Sequence, residues 1–164
     1  MNAMAFSVPK KIEAEIDALI SHYPEKRSAS LMILHALQDH FGYVSGEAME
    51  WTAAKLELQP INILELVTFY PMFRQSPIGR YHLKVCRTLS CALGGSHQLR
   101  RGLCKKLGLP EDGHGPATTA DGKFTVEFVE CLASCGTAPV MMCNEETHEA
   151  VSAEKAESIL AKCN

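Results

Sequence analysis

Four cysteines in two pairs constrain this chain more than any other feature. Cys86 and Cys91 have four residues between them, Cys131 and Cys135 have three, and 39 residues separate the pairs. Each pair comes after a stretch that alternates apolar and polar side chains, as a half-buried strand does. Tyr81, Leu83 and Val85 precede the first pair, and Phe124, Val126 and Phe128 precede the second. Two loops leaving one sheet edge would set four thiolates facing one another. Soft thiolates select zinc, copper(I) or iron–sulfur clusters over hard cations. Spacing alone leaves the metal open. Structural zinc sites accept both intervals, and a two-iron cluster takes two cysteines per iron.

The loops themselves favour iron and sulfide. Thr88, Leu89, Ser90, Leu132, Ala133, Ser134 and Gly136 are small or neutral, with Arg87 the one charge. Such loops bring backbone N–H groups close to sulfur, which raises a cluster's reduction potential. Glu130, beside Cys131, reads as a charge-tuning or amide-pairing carboxylate rather than a general base. The remaining cysteines read as bystanders: Cys104 as a small hydrophobe beside Leu103 and Leu107, Cys143 at a strand end, and Cys163 at a frayed terminus. No Cys-x-x-Cys occurs, so dithiol chemistry of the thioredoxin kind is not supported. No Cys-x-His suggests a Rieske cluster, and His35 and His40, five apart, do not share a helix face. Neither GxGxxG nor a P-loop is present, so a nucleotide cofactor would sit on a partner.

Composition narrows the classes further. A formal net charge of −3 argues against nucleic acid as a partner. Arg100, Arg101, Lys105 and Lys106 read as a solvated helix face. No run of 18 apolar residues occurs, so no transmembrane helix and no direct membrane insertion are expected. Met1 to Lys11 lack the order of a signal peptide. The expected setting is therefore a reducing compartment, where seven cysteines read better as ligands plus buried thiols than as disulfides.

The first half reads helical. Ile12, Ile16, Leu19 and Ile20 form one stripe, ended by Tyr23-Pro24. A second helix spans about Arg27 to His40, turning Leu31, Leu34, Leu37 and Phe41 toward a core, with Gly42 as its stop. Ser45 caps a third helix to about Leu56, and Pro60 opens a fourth through Phe69. From Arg80 the order becomes β-α-β-β-α. The helix carries Leu99, Leu103 and Leu107; a loop runs from Gly108 to Gly122; Ala138–Cys143 and His148–Val151 form a hairpin about Asn144-Glu145-Glu146; and Ser152 caps the last helix. The fold class is α+β, with a helical domain over 1–78 and a reduced thioredoxin-like domain over 79–164.

At this point a resemblance becomes specific. Val85-Cys86 with Cys91, the run Thr118-Thr119-Ala120-Asp121-Gly122-Lys123-Phe124-Thr125, Val129 through Cys135, and Ala138-Pro139-Val140 resemble the thioredoxin-like [2Fe–2S] subunit of NADH dehydrogenases. That is the small flavin-neighbouring subunit of respiratory complex I, with relatives in NAD-linked hydrogenases and formate dehydrogenases. Gln38, Gly42 and Phe69-Tyr70 sit where its helical extension has similar residues, so the likeness covers nearly the whole chain from about Tyr23. One departure is Ala92-Leu93-Gly94-Gly95, where the family often has an arginine.

The resemblance implies one [2Fe–2S] cluster on Cys86, Cys91, Cys131 and Cys135, single-electron exchange with a flavin, and FMN and NAD on a larger NADH-binding partner subunit. It implies a bacterial cytoplasmic protein, peripheral on the inner membrane within its complex, and a redox subunit with no catalytic residue of its own. Two competing readings are a zinc-stapled interaction module and a free-standing thioredoxin-like ferredoxin that forms a homodimer.

Overall fold

A computed structural model describes residues 6–113 and 115–164. The chain divides into two compact units, Met1–Pro77 and Ile78–Asn164. The first holds four α-helices: α1 (Lys10–Ser21), α2 (Ser30–Phe41), α3 (Gly46–Leu56) and α4 (Pro60–Phe69). Their boundaries obey local chemistry. Gly42 takes a left-handed φ of 84° that ends α2, and Ser45 Oγ accepts from the Ala48 amide at 3.2 Å to cap α3. Pro60 occupies the first turn of α4, where a missing N–H costs nothing. The apolar stripes close on Ile16, Ile33, Leu34, Leu37, Ile63 and Val67, all buried, while Leu31 and Phe41 are partly covered at the margin. Gln38 is buried too: its amide donates to Met72 O at 3.0 Å and its carbonyl accepts from Arg74 N at 2.7 Å, tying the exit of α4 to α2. The entry to α2 differs from the expected helix start. Lys26–Ala29 form a 3₁₀ turn, and Ser30 Oγ donates to the Arg27 carbonyl at 2.6 Å, holding the tighter geometry.

The second unit is built on a five-stranded sheet of order β2-β3-β1-β4-β5. Its elements are β1 (Tyr81–Cys86), α5 (Leu89–Leu93), α6 (Ser96–Leu107), β2 (Ala117–Thr118), β3 (Phe124–Val129), β4 (Met141–Cys143), β5 (Glu146–His148) and α7 (Ala153–Lys162). β1 and β3 run parallel, joined through α6, and β4 adds antiparallel to the other side of β1. This is the βαβ-plus-hairpin arrangement of a thioredoxin-like domain. Leu83, Val85, Val126 and Met141 are fully buried and form one core with Leu99, Leu103, Cys104 and Ile159.

Three details correct the sequence reading. The Gly108–Gly122 loop contains β2, which pairs with β3 after a tight turn; Asp121 Oδ1 accepts from Thr119 Oγ1 at 2.5 Å and from Lys123 N at 2.9 Å. The hairpin turn is shorter than expected, because Asn144 takes a left-handed φ of 54° and β5 begins at Glu146. Arg100 is not on a solvated face. It is 2% exposed, donates to Glu111 O at 3.0 Å, and lies over the Phe128 ring at 5.0 Å.

Candidate metal centre

Parallel register brings the two cysteine pairs together. Tyr81 pairs with Phe124 and the ladder runs to Cys86 opposite Val129, so β1 and β3 finish at the same sheet edge. Cys86 is the last residue of β1, and Cys131 lies two residues beyond β3. The chain then turns differently at each end. After β1 it winds into α5, which carries Cys91, and the Ala92 and Gly94 amides return to the Thr88 and Ser90 carbonyls. After β3 it makes an open loop that enters a 3₁₀ turn at Cys135.

The sulfurs sit in a belt of hydrogen-bond donors contributed by both loops. Cys86 Sγ lies 3.3 Å from Thr88 Oγ1, and Cys131 Sγ lies 3.6 Å from Cys135 Sγ. The Ala133 amide donates to Cys131 Sγ at 3.3 Å, aimed there by a left-handed φ of 60° at Ala133. Strain of this kind in a residue with a Cβ persists where the surroundings hold it, commonly at functional sites.

These contacts split each pair electrostatically. Burial pushes the Cys86 thiol up, but Thr88, Leu132 and Cys91 donate to its sulfur and leave it below its ordinary value. The Ala133 amide, with Cys135 and Thr88, likewise holds Cys131 low. Burial and the Cys86 sulfur raise Cys91, and the hydrogen bond to Cys131 raises Cys135. Each pair thus holds one thiol low and one high, and binding a metal would draw the protons from both.

Around the sulfurs the charge is balanced. Arg87 donates to Glu130 Oε1 from Nε at 2.9 Å and from Nη2 at 2.5 Å, so the one cation of the loops and the carboxylate beside Cys131 neutralise each other. Glu130 is therefore engaged as an ion-pair partner. Leu89 and Leu93, on α5 to either side of Cys91, are 75% and 82% exposed.

The donor set fits a two-iron, two-sulfide cluster: four soft thiols, two per strand end, with N–H and O–H groups directed at sulfur. The other cysteines stay away from this edge. Cys104 is fully buried in the core, and Cys143 and Cys163 belong to the core region under α7. Cys163, expected at a frayed end, is 7% exposed, because Tyr81 holds the neighbouring Asn164 backbone. Sequence reasoning missed the Thr88 hydroxyl against Cys86. A threonine two residues after a cysteine was its only local sign.

Known proteins agree with this fold. Residues 16–164 match the family model described as thioredoxin-like [2Fe-2S] ferredoxin. The chain is 38% identical over 146 residues to an NADH-quinone oxidoreductase subunit of Rhizobium meliloti, covering 89% of this chain and 84% of that one. It is 34% identical to the corresponding NADH-quinone oxidoreductase subunit of Aquifex aeolicus, covering 96% of both chains. Among solved structures, an NAD+-reducing [NiFe]-hydrogenase in the air-oxidized state has a similar fold, with a TM-score of 0.64 at 22% identity. That likeness covers 79% of this chain and 22% of the hydrogenase chain. With its strand-end cysteine pairs on the sheet expected of that fold, this chain belongs to the thioredoxin-like [2Fe–2S] ferredoxin family.

Proposed function

We propose that this chain is an electron-transfer subunit that holds one [2Fe–2S] cluster on Cys86, Cys91, Cys131 and Cys135. On this reading it exchanges single electrons with the flavin of a larger NADH-oxidising subunit. The observation that carries the reading is the meeting of two cysteine pairs at the shared end of β1 and β3, with the Thr88 hydroxyl against Cys86 and the Ala133 amide against Cys131. When bound, the cluster supplies a one-electron couple. The chain's own residues set its surroundings. The Thr88 hydroxyl and the Ala133 amide offset negative charge on sulfur. The Arg87–Glu130 pair sets a cation and a carboxylate against each other at the rim.

Leu89 and Leu93 give that rim an apolar surface suited to a protein partner. FMN and NAD belong on the partner, in keeping with the absence of any nucleotide-binding motif here. The helical half, which we take as residues 1–78, serves as a docking element. No described helix is long and apolar enough to cross a membrane, which suits a peripheral place on the cytoplasmic face of the inner membrane.

The test is direct. Purified without oxygen, the protein should be red-brown, contain iron and acid-labile sulfide in equal amounts, and bleach with dithionite. A colourless protein with one zinc would overturn the electron-transfer reading in favour of a zinc-stapled module. Pull-down of the native partner should recover a flavoprotein. Recovery of that partner by a chain lacking residues 1 to 75 would remove the docking role of the helices.

A further inference from the structure

Arg100 is a buried cation without a paired anion. It leaves the sheet-facing side of α6 and is 2% exposed. Nη1 donates to the Glu111 carbonyl at 3.0 Å, while Nε has no hydrogen-bond partner among the described residues. No described Asp or Glu side chain forms an ion pair with it. Burying an uncompensated charge is costly, and an opposite charge nearby offsets that cost.

The place of Arg100 indicates which charge. Its guanidinium lies over the Phe128 ring at 5.0 Å. Phe128 pairs with Val85, and the next rung of the ladder is Cys86 with Val129. The cation therefore covers the last rung but one, about 3.3 Å of strand short of the cysteine-bearing end. Cys131 follows Phe128 by three residues, and Cys91 lies on α5, which Gly94-Gly95 join to α6. Two ferric ions do not balance four thiolates and two sulfides, so the proposed cluster is anionic when oxidised. Accepting an electron makes it more so.

We infer that Arg100 is the internal counter-cation of the four-cysteine site, favouring its reduced state and raising its reduction potential. Arg100 has this role only if that site holds the proposed cluster. The charge is permanent, because a guanidinium stays protonated across the working pH range. It acts from beneath α6 rather than through water, so salt screens it little. The Arg87–Glu130 pair differs on both counts, being at the surface and neutralised within itself. At the effective dielectric of a protein interior, one unit charge a few residues away alters an equilibrium by about tenfold. An arginine that merely anchored the loop after α6 through Glu111 would have no such effect.

The experiment uses the full chain loaded with iron and sulfide, its midpoint potential read by spectroelectrochemistry at fixed pH and salt. Arg100→Leu should lower the reduced-to-oxidised ratio about tenfold at a given potential, a midpoint shift of about 59 mV for one electron. Arg100→Lys, which keeps the charge but loses the planar fork, should restore most of that shift. A second pair of variants leaves Arg100 in place. Gly113 is exposed, and the first atom a Cβ there would meet is Arg100 Nη2 at 4.0 Å. Gly113→Asp brings a carboxylate to the guanidinium and should lower the midpoint too, whereas Gly113→Asn, of equal size, should not. A loaded Arg100→Leu protein with the parent's midpoint would overturn the role, as would a lysine variant that falls as far as the leucine one. If neither Arg100 variant retains iron, equal midpoints for Gly113→Asp and Gly113→Asn overturn it. A colourless parent chain sinks the electron-transfer reading and this role together; a red-brown parent with unmoved variants sinks this role alone.

Discussion

The two cysteine loops leave neighbouring parallel strands, yet they present sulfur to opposite surroundings. Cys86 and Cys91 are 1% and 2% exposed and pack with Val140, whereas Cys131 and Cys135 are exposed. The difference arises where the chain leaves each strand. The first loop folds at once into α5 and is covered from the β4 side, while the second stays open until its 3₁₀ turn. Burial protects the inner pair from water, and exposure gives the outer pair a route to a partner. Thr88 lies on the inner side, its hydroxyl 3.3 Å from Cys86 Sγ. On the proposed reading the site is therefore lopsided by construction, anchored within and open without.

The largest expected effect separates the pairs outright. Cys86→Ser or Cys91→Ser should leave almost no bound iron, because water cannot replace a ligand in a sealed position. Cys131→Ser or Cys135→Ser should keep a fraction of the iron with an altered EPR signal. Equal loss from both pairs, by iron and sulfide assay, would break the comparison. Next, Val140→Ala removes buried packing against the inner pair and should cost about 1–3 kcal/mol in chemical unfolding. A change within ~0.5 kcal/mol would mean the inner loop does not depend on that contact.

A smaller effect tests the hydroxyl on the inner pair. Thr88→Val keeps the side-chain shape but removes the hydroxyl that lies against Cys86. Losing a hydrogen-bond preference of about 1 kcal/mol for the reduced state should lower the midpoint potential by roughly 40 mV. An unchanged spectroelectrochemical midpoint would deny Thr88 that role. Smallest of all is a tie confined to the outer loop, where Ser134 Oγ donates to Glu149 Oε1. The Ser134 and Thr137 hydroxyls hold the Glu149 carboxyl below its ordinary value. A depressed folded pKa means the tie is fully present above the unfolded value near 4.5 and is lost as pH falls through the folded one. Glu149→Gln should roughly double outer-loop amide exchange at neutral pH, and lowering the pH below the carboxylate range should do the same to the unsubstituted chain. Exchange that ignores both changes would remove the tie.

Much of this is legible in the residues alone. Ser45, Gly42 and Pro60 mark helix ends through their own backbone chemistry, and the Tyr81–Val85 and Phe124–Phe128 alternations announce β1 and β3. Local rules could not reveal α5, because five residues give too few turns for a periodic pattern. Nor could they reveal β2, since two residues take on a strand only when β3 lies alongside. Arg100 is deceptive for the same reason: in sequence it is one cation in a basic run, and only the packing of α6 on the sheet turns it toward Phe128.

The sequence by itself determined that four thiols leave two strand ends in two pairs, because residue type, spacing and alternation are properties of the chain alone. It also determined the bounds of most helices, since caps and breakers act within a few residues. Tertiary structure alone decided which pair is buried and that Arg100 turns inward onto Phe128. Both facts depend on how strands, helices and loops pack, so each joins residues that local chemistry never brings together. A thiol's neighbours are a matter of packing, and packing is where a ligand, a buffer of charge and a bystander become different things.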